Sequence, residues 1–250
     1  MSENWFFLRG LVRESGHWNE FPKLFQEKFP DRKVILLDLP GNGAYYQKQS
    51  PSTVSELADH VRQDFLRTPR ADKNFIFAIS LGAMVAMEWL QSHPDDVNAA
   101  VLINSSLRGL SPFYDRLRPQ NYLTILKLLF SNDLHHREKE ILRITSNRPK
   151  VHEAISLAWT KLQQQHPVSK RNAIQQIFAA MKYKPKPLKP NIPLLILNGL
   201  GDRLVHPRCS EKLASFWSAP IMKHPSAGHD LCLDEPEWVL EQLELWTKNL

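Results

Sequence analysis

Phe75-Ile76-Phe77-Ala78-Ile79-Ser80-Leu81-Gly82-Ala83-Met84 is the stretch whose reading decides the fold. An apolar run reaches a serine, and a helix-forming run starts at the next residue. A buried strand that passes straight into a helix needs a tight, strained turn, which holds the serine Oγ out at its tip. Bulky side chains two residues before and after that serine would clash with the turn. Ala78 and Gly82 occupy those positions. The five-residue pattern is short and recurs by chance in many proteins, so its meaning rests on companion groups elsewhere in the chain.

A serine hydroxyl is a weak nucleophile until a base takes its proton, and the base needs a carboxylate to fix its tautomer. Of the ten histidines, His229 is the best candidate base: it lies in Ser226-Ala227-Gly228-His229-Asp230, a loop of small residues between the last strand and the closing helix. The carboxylate is assigned to Asp202, in the glycine-rich run Asn198-Gly199-Leu200-Gly201-Asp202-Arg203-Leu204-Val205 that follows a strand. Asp230 competes for that role, but adjacent loop residues rarely point together, so Asp202 is preferred. The chain order is Ser80, Asp202, His229.

Working outward, Trp5–Arg9, Val34–Asp38, Phe75–Ala78, Ala99–Ile103, Leu194–Asn198 and Ile221–Lys223 read as short buried strands. Helices are expected at Ser52–Leu66, Leu81–Gln91, Arg208–Trp217 and Glu235–Trp246. Such alternation makes a parallel, doubly wound sheet of about six strands. Leu107 to Pro190 breaks the alternation: its apolar residues recur at helical spacing, and it ends in the proline-rich Lys184–Pro190. The expected organisation is a core of residues 1–106 and 191–250 with a helical cap, 107–190, inserted over the sheet's C-terminal edge, where ligands of open α/β sheets bind.

The 250 residues carry a net charge of +6, with 42% hydrophobic and 23% charged residues, an ordinary globular balance. The charge is uneven: residues 107–190 hold 16 Lys and Arg against 5 Asp and Glu, while the flanks are net acidic. This suggests either a solvated basic surface or an anionic partner. The basic residues lack interleaved aromatics on strands, so a nucleic-acid partner is not expected. The N-terminal residues lack the basic and apolar regions of a signal peptide, and no apolar window is long enough to span a membrane. With only Cys209 and Cys232 as packing thiols, the chain is expected in the cytoplasm.

On these motifs, together with the Asp38-Leu39-Pro40-Gly41-Asn42-Gly43 turn, the chain resembles the α/β-hydrolase superfamily over nearly its whole length. Within it, the sequence from Gly10 to Trp18, the Gly201–Val205 acid loop and the four-helix-like insert are most similar to small capped carboxylesterases, a group that includes the esterase of biotin synthesis acting on pimeloyl-carrier-protein methyl ester. The resemblance implies an α/β fold of mostly parallel strands with helices on both faces, here without the usual N-terminal hairpin. It also implies an oxyanion hole made by the backbone N–H groups of Leu81 and Leu11. The superfamily's usual His-Gly after the first core strand is replaced here by Arg9-Gly10, and Arg9 takes either the histidine's structural slot or a place by the acyl pocket.

Candidate pocket residues are Arg9, Trp18, Phe113 and Tyr114, with further apolar positions at Leu123, Leu126 and Phe130. Trp18 could line the pocket, but a Trp at the head of a helix is more often core. His135-His136 with Glu138 and Glu140 fits no metal-ligand spacing and reads as a solvated helix face, so no metal or organic cofactor is expected. Asp38 is expected to fix the following turn. The expected activity is a serine hydrolase acting on a carboxylic ester with a small or medium acyl group. A thioester or ester on coenzyme A or acyl carrier protein is the second expectation, and a non-catalytic binding fold the third.

Overall fold

In the computed structural model, which describes residues 2–250, the chain opens with strand β1 (Glu3–Leu8), helix α1 (Phe21–Lys28) and strand β2 (Arg32–Leu37). Helix α2 (Val54–Arg67), β3 (Lys73–Ile79), α3 (Leu81–Ser92) and β4 (Ala99–Ile103) follow. Between β4 and the next strand come a one-turn helix α4 (Phe113–Arg116) and four longer helices, α5 (Tyr122–Phe130), α6 (Leu134–Thr145), α7 (His152–Gln165) and α8 (Lys170–Lys182). Then β5 (Leu194–Gly199), α9 (Arg208–Trp217), β6 (Ile221–His224), α10 (Leu231–Asp234) and α11 (Pro236–Thr247) complete the chain. Each strand and helix expected from sequence is present, with ends shifted by no more than two residues. The crossover α1 begins three residues after Trp18, which the sequence reading puts at the head of a helix without giving that helix bounds.

The six strands form one sheet in the order β2-β1-β3-β4-β5-β6, and every neighbouring pair is parallel. No strand precedes β1 among the described residues, so the superfamily's hairpin is absent there. Side chains alternate across each strand. Phe6, Leu8, Ile76 and Ala78 face α2, α3 and α9, packing with Leu57, Val61, Val85, Trp89 and Leu213. Trp5, Phe7, Phe75 and Phe77 face α1 and α11, packing with Phe21, Phe25, Val239 and Leu243. Trp5 stacks on Phe75 at 4.6 Å between ring centroids, and Phe7 meets Phe77 at 4.7 Å. Both faces are thus covered, which a parallel sheet of near-continuous apolar strands requires.

Local chemistry explains several boundaries. Thr53 Oγ1 accepts a hydrogen bond from Glu56 N and starts α2. Asp38 does more than fix its turn: Oδ1 accepts from Ser15 N and Oγ, and Oδ2 accepts from Ala44 N, so it joins two loops at the sheet's C-terminal edge. Strand order reverses between β1 and β3, because the chain builds outward to β2 and then crosses β1 to build the other half. A reversal of this kind opens a crevice at the C-terminal strand ends. Gly10-Leu11 and Ser80 leave the sheet on its two sides.

Candidate active site

Ser80 joins β3 to α3 with φ 58° and ψ −117°, a strained conformation for a residue with a Cβ. The strain is held by neighbours. Ser80 N donates to Ile103 O at 2.9 Å, and Ser105 Oγ donates to Ser80 O at 3.0 Å. The small-residue requirement is visible in the packing: a Cβ on Gly82 would sit 2.5 Å from Arg9 O and 2.6 Å from Leu8 O. Ala78 is fully buried beside Leu8 of β1. Gly10 lies so near that a Cβ there would be 3.1 Å from Ser80 Cβ.

The carboxylate of Asp202 is buried after β5. Its Oδ1 accepts from Leu204 N and Val205 N at 2.8 and 2.9 Å, and its Oδ2 lies 2.7 Å from His229 Nδ1. Oriented by two backbone donors, the carboxylate holds the Nδ1–H tautomer and leaves Nε2 free to take a proton. Nε2 makes no hydrogen bond to Ser80 Oγ in this conformation, but His229 and Ser80 line the same cavity. The His229 loop is fastened from behind by Asn104, whose Nδ2 donates to Gly228 O and His229 O and whose Oδ1 accepts from Gly199 N. Sequence reasoning passed over Asn104; an asparagine at a strand end, here with φ 45°, was the available signal.

Leu11 lines the same cavity as Ser80, and Leu81 follows Ser80 directly. Leu81 is the first residue of α3 and Leu11 follows Gly10; neither N–H donates to another group among the described residues. Helix N-termini offer such free donors to developing negative charge.

Arg9 is buried, and its Nη1 and Nη2 donate to Asp230 Oδ1 and Oδ2 at 3.0 and 2.5 Å. The guanidinium also stacks over Trp18 at 4.7 Å from the ring centroid. Asp230 is therefore spoken for by Arg9 and is not the partner of His229.

The cavity at this site has a volume of about 130 Å³, comparable to that which holds a benzene-sized ligand. Its walls combine Ser80, His229 and Gly10–Arg13 with Ile125, Leu128 and Leu129 of α5, Ile141 of α6 and Ile177 of α8. Arg9 also lines this wall. Trp18 does not: it is 2% exposed and packs with Phe7, Phe21 and Phe77 in the core. Phe113 and Tyr114 are 73% and 51% exposed and also lie off the wall, because α4 is a single turn resting against α9. Leu123, Leu126 and Phe130 face outward too, since α5 is apolar all round and turns its other face to the cavity.

The remaining candidates are dispersed. His135 lies 3.7 Å from Glu153, Glu140 pairs with Arg143 and Glu138 with Arg13, so they form no common cluster. Cys209 and Cys232 are both buried free thiols, and burial pushes their pKa values up, Cys209 to about 11. No helix among the described residues is long and apolar enough to cross a membrane.

Residues 6–242 match the model of the alpha/beta hydrolase family. The chain belongs to that family. No curated protein matches the hydrolase significantly. Its fold is similar to those of several solved structures. The esterase RhEst1 from Rhodococcus sp. ECU1013 superposes with a TM-score of 0.80 at 16% identity, covering 100% of this chain and 91% of that one. The enol-lactonase from Burkholderia xenovorans LB400 gives 0.77 at 16%, covering 99% and 92%. A lipase-esterase related protein from Clostridium acetobutylicum ATCC 824 gives 0.75 at 16%, covering 97% and 93%. At such identities the likeness speaks to the fold of the hydrolase alone.

Proposed function

We propose that the protein is a serine hydrolase that cleaves a carboxylic ester of a small acyl group through an acyl-enzyme on Ser80. The observation that carries this reading is the 2.7 Å bond from buried Asp202 to His229, on the wall of the cavity that the strained Ser80 also lines. Ser80 Oγ attacks the acyl carbon as its proton passes to His229 Nε2. Asp202 stabilises the imidazolium that forms. The negative charge that develops on the carbonyl oxygen is met by the N–H groups of Leu81 and Leu11. His229 then returns the proton to the leaving alkoxide, and water, activated by the same base, releases the acid.

In this reading the segment 107–190 acts as a cap whose helices α5, α6 and α8 close over the acyl group. The esterase and lactonase among the structural neighbours accord with ester chemistry. The test is labelling by a fluorophosphonate probe. Wild type is expected to be labelled and Ser80→Ala to be blank; labelling that survives in Ser80→Ala, or is absent from both, sinks the reading.

A second substrate reading, an acyl group carried on coenzyme A or acyl carrier protein, draws on the 16 Lys and Arg of residues 107–190. It requires activity on the carried substrate to fall steeply between low and physiological salt, since exposed charges are screened. Such activity unchanged by salt counts against it.

A further inference from the structure

The cavity wall is mostly apolar, yet it carries four cationic side chains, Arg9, Arg13, Arg137 and Lys170. Arg9 has its charge matched by Asp230, although its buried Nε has no partner. Arg13 is buried; its Nη1 donates to Glu138 Oε2 at 2.7 Å and lies 2.8 Å from His17 Nε2, while its face rests 4.7 Å from the Trp159 ring centroid. Its other terminal nitrogen, Nη2, is shut off from solvent and has no partner. Arg137 is half-buried on α6, and its guanidinium makes no ion pair or hydrogen bond among the described residues. Burial, together with the positive charge of Arg13, lowers its pKa, opposed by Glu138.

Two guanidinium groups on one small cavity therefore share a single carboxylate, Glu138. A half-buried charge without a counter-charge is partly cut off from water, which is unfavourable unless something compensates it. Lys170 is exposed and reaches solvent, so it needs no such partner. A neutral polar group would satisfy the free N–H of Arg13 but leave the net charge of Arg137 standing. A ligand carboxylate would accept from both arginines, in the planar, charge-assisted geometry that guanidinium favours. The cavity volume, about 130 Å³, limits the rest of that ligand to a short chain.

We propose that the acyl pocket takes a chain ending in a carboxylate, held by Arg13 and Arg137, so that the substrate is the half-ester of a short dicarboxylic acid. The ester carbonyl lies at Ser80, and the distal carboxylate lies against α6. This rests on the serine-hydrolase reading, and deepens it by naming the substrate class.

The experiment compares kcat/KM for the monomethyl and dimethyl esters of succinic, glutaric and adipic acids at pH 7.5, where the free carboxyl is ionised. Wild type is expected to prefer the monomethyl ester of at least one acid by about tenfold or more, the scale of a charge-assisted contact. Arg137→Met should collapse that ratio towards one, and Arg137→Lys should keep part of it. Arg137 is chosen because it is half-buried, whereas a change at buried Arg13 threatens folding. Dimethyl esters cleaved as well as or better than every half-ester, in a Ser80-dependent way, would overturn the proposal and leave the hydrolase reading intact. If no ester is cleaved and Ser80 is not labelled, the hydrolase reading fails, and calorimetric titration of Ser80→Ala with monomethyl glutarate decides the site. Binding that weakens about tenfold in Ser80→Ala/Arg137→Met supports the carboxylate site; absent or Arg137-independent binding refutes it.

Discussion

Arg9 and Asp230 form a buried ion pair with two hydrogen bonds, 221 residues apart in sequence, one on the loop that supplies Leu11 and the other next to His229. The pair bridges the loops on either side of Ser80. It takes the position at which the superfamily usually has histidine, and Trp18 packs on its open face.

Removing one member of such a pair leaves a buried charge unmatched, at a cost of about 3–5 kcal/mol. Arg9→Met and Asp230→Asn are each expected to lose stability on that scale. The double variant Arg9→Met/Asp230→Asn should lose less than the sum of the two single effects. Denaturant unfolding of the four proteins in a cycle measures the coupling, and additive losses would show that the pair contributes nothing jointly.

Asp202 fixes the His229 tautomer through a single 2.7 Å bond. An asparagine there keeps the shape and loses the charge. Asp202→Asn is expected to lower kcat by about 10³–10⁴ with little change in KM. Steady-state kinetics on a p-nitrophenyl ester provides the check; a loss confined to KM would assign Asp202 to binding instead.

Gly82 has two backbone carbonyls within 2.6 Å of where a Cβ would stand. Neither can yield without moving β1 or the turn at Ser80. Gly82→Ala should therefore cost about 2–3 kcal/mol and weaken probe labelling of Ser80 in the protein that remains folded. A variant with wild-type melting temperature and labelling would contradict the packing described.

His17 is fully buried, and burial first, then the charges of Arg13 and Arg9, holds its pKa well below the ordinary 6.5. The unfolded chain takes up a proton near 6.5, while the folded chain does so only at much lower pH. Stability from this residue is complete above pH 6.5 and is lost as pH falls below it. Between pH 7.5 and 5.5 the loss is about 1 kcal/mol. In His17→Gln the corresponding decline in unfolding free energy, from denaturant titrations at each pH, should be shallower by that amount, and parallel curves would refute it.

Much of this molecule could be read from its sequence where chemistry and position coincide. Ala78, Ser80 and Gly82 announce a turn that only small residues allow, and the order of Asp202 and His229 follows from the strands before them. The short crossover α1 is given no bounds in the sequence reading, although Phe21, Leu24, Phe25 and Phe29 recur at helical spacing. Helix α5 misled: an apolar residue stands at nearly every position, so the face turned to the cavity could not be chosen from the pattern. The Arg9–Asp230 pair depends on two loops meeting across the sheet. An arginine beside a buried strand did call for a counter-charge, but nothing local said which one.

The carboxylate of Asp234 accepts from Ser146 Oγ and Asn147 N at the end of α6 and from Gly228 N beside His229, while Thr145 O receives the N–H of Asp230. The roof of the pocket and the loop bearing the base are thus stitched into one piece. Helices transplanted here from a relative would arrive without their half of the stitching. Anyone grafting a new roof onto this scaffold to change its selectivity should therefore move residues 226–234 with it.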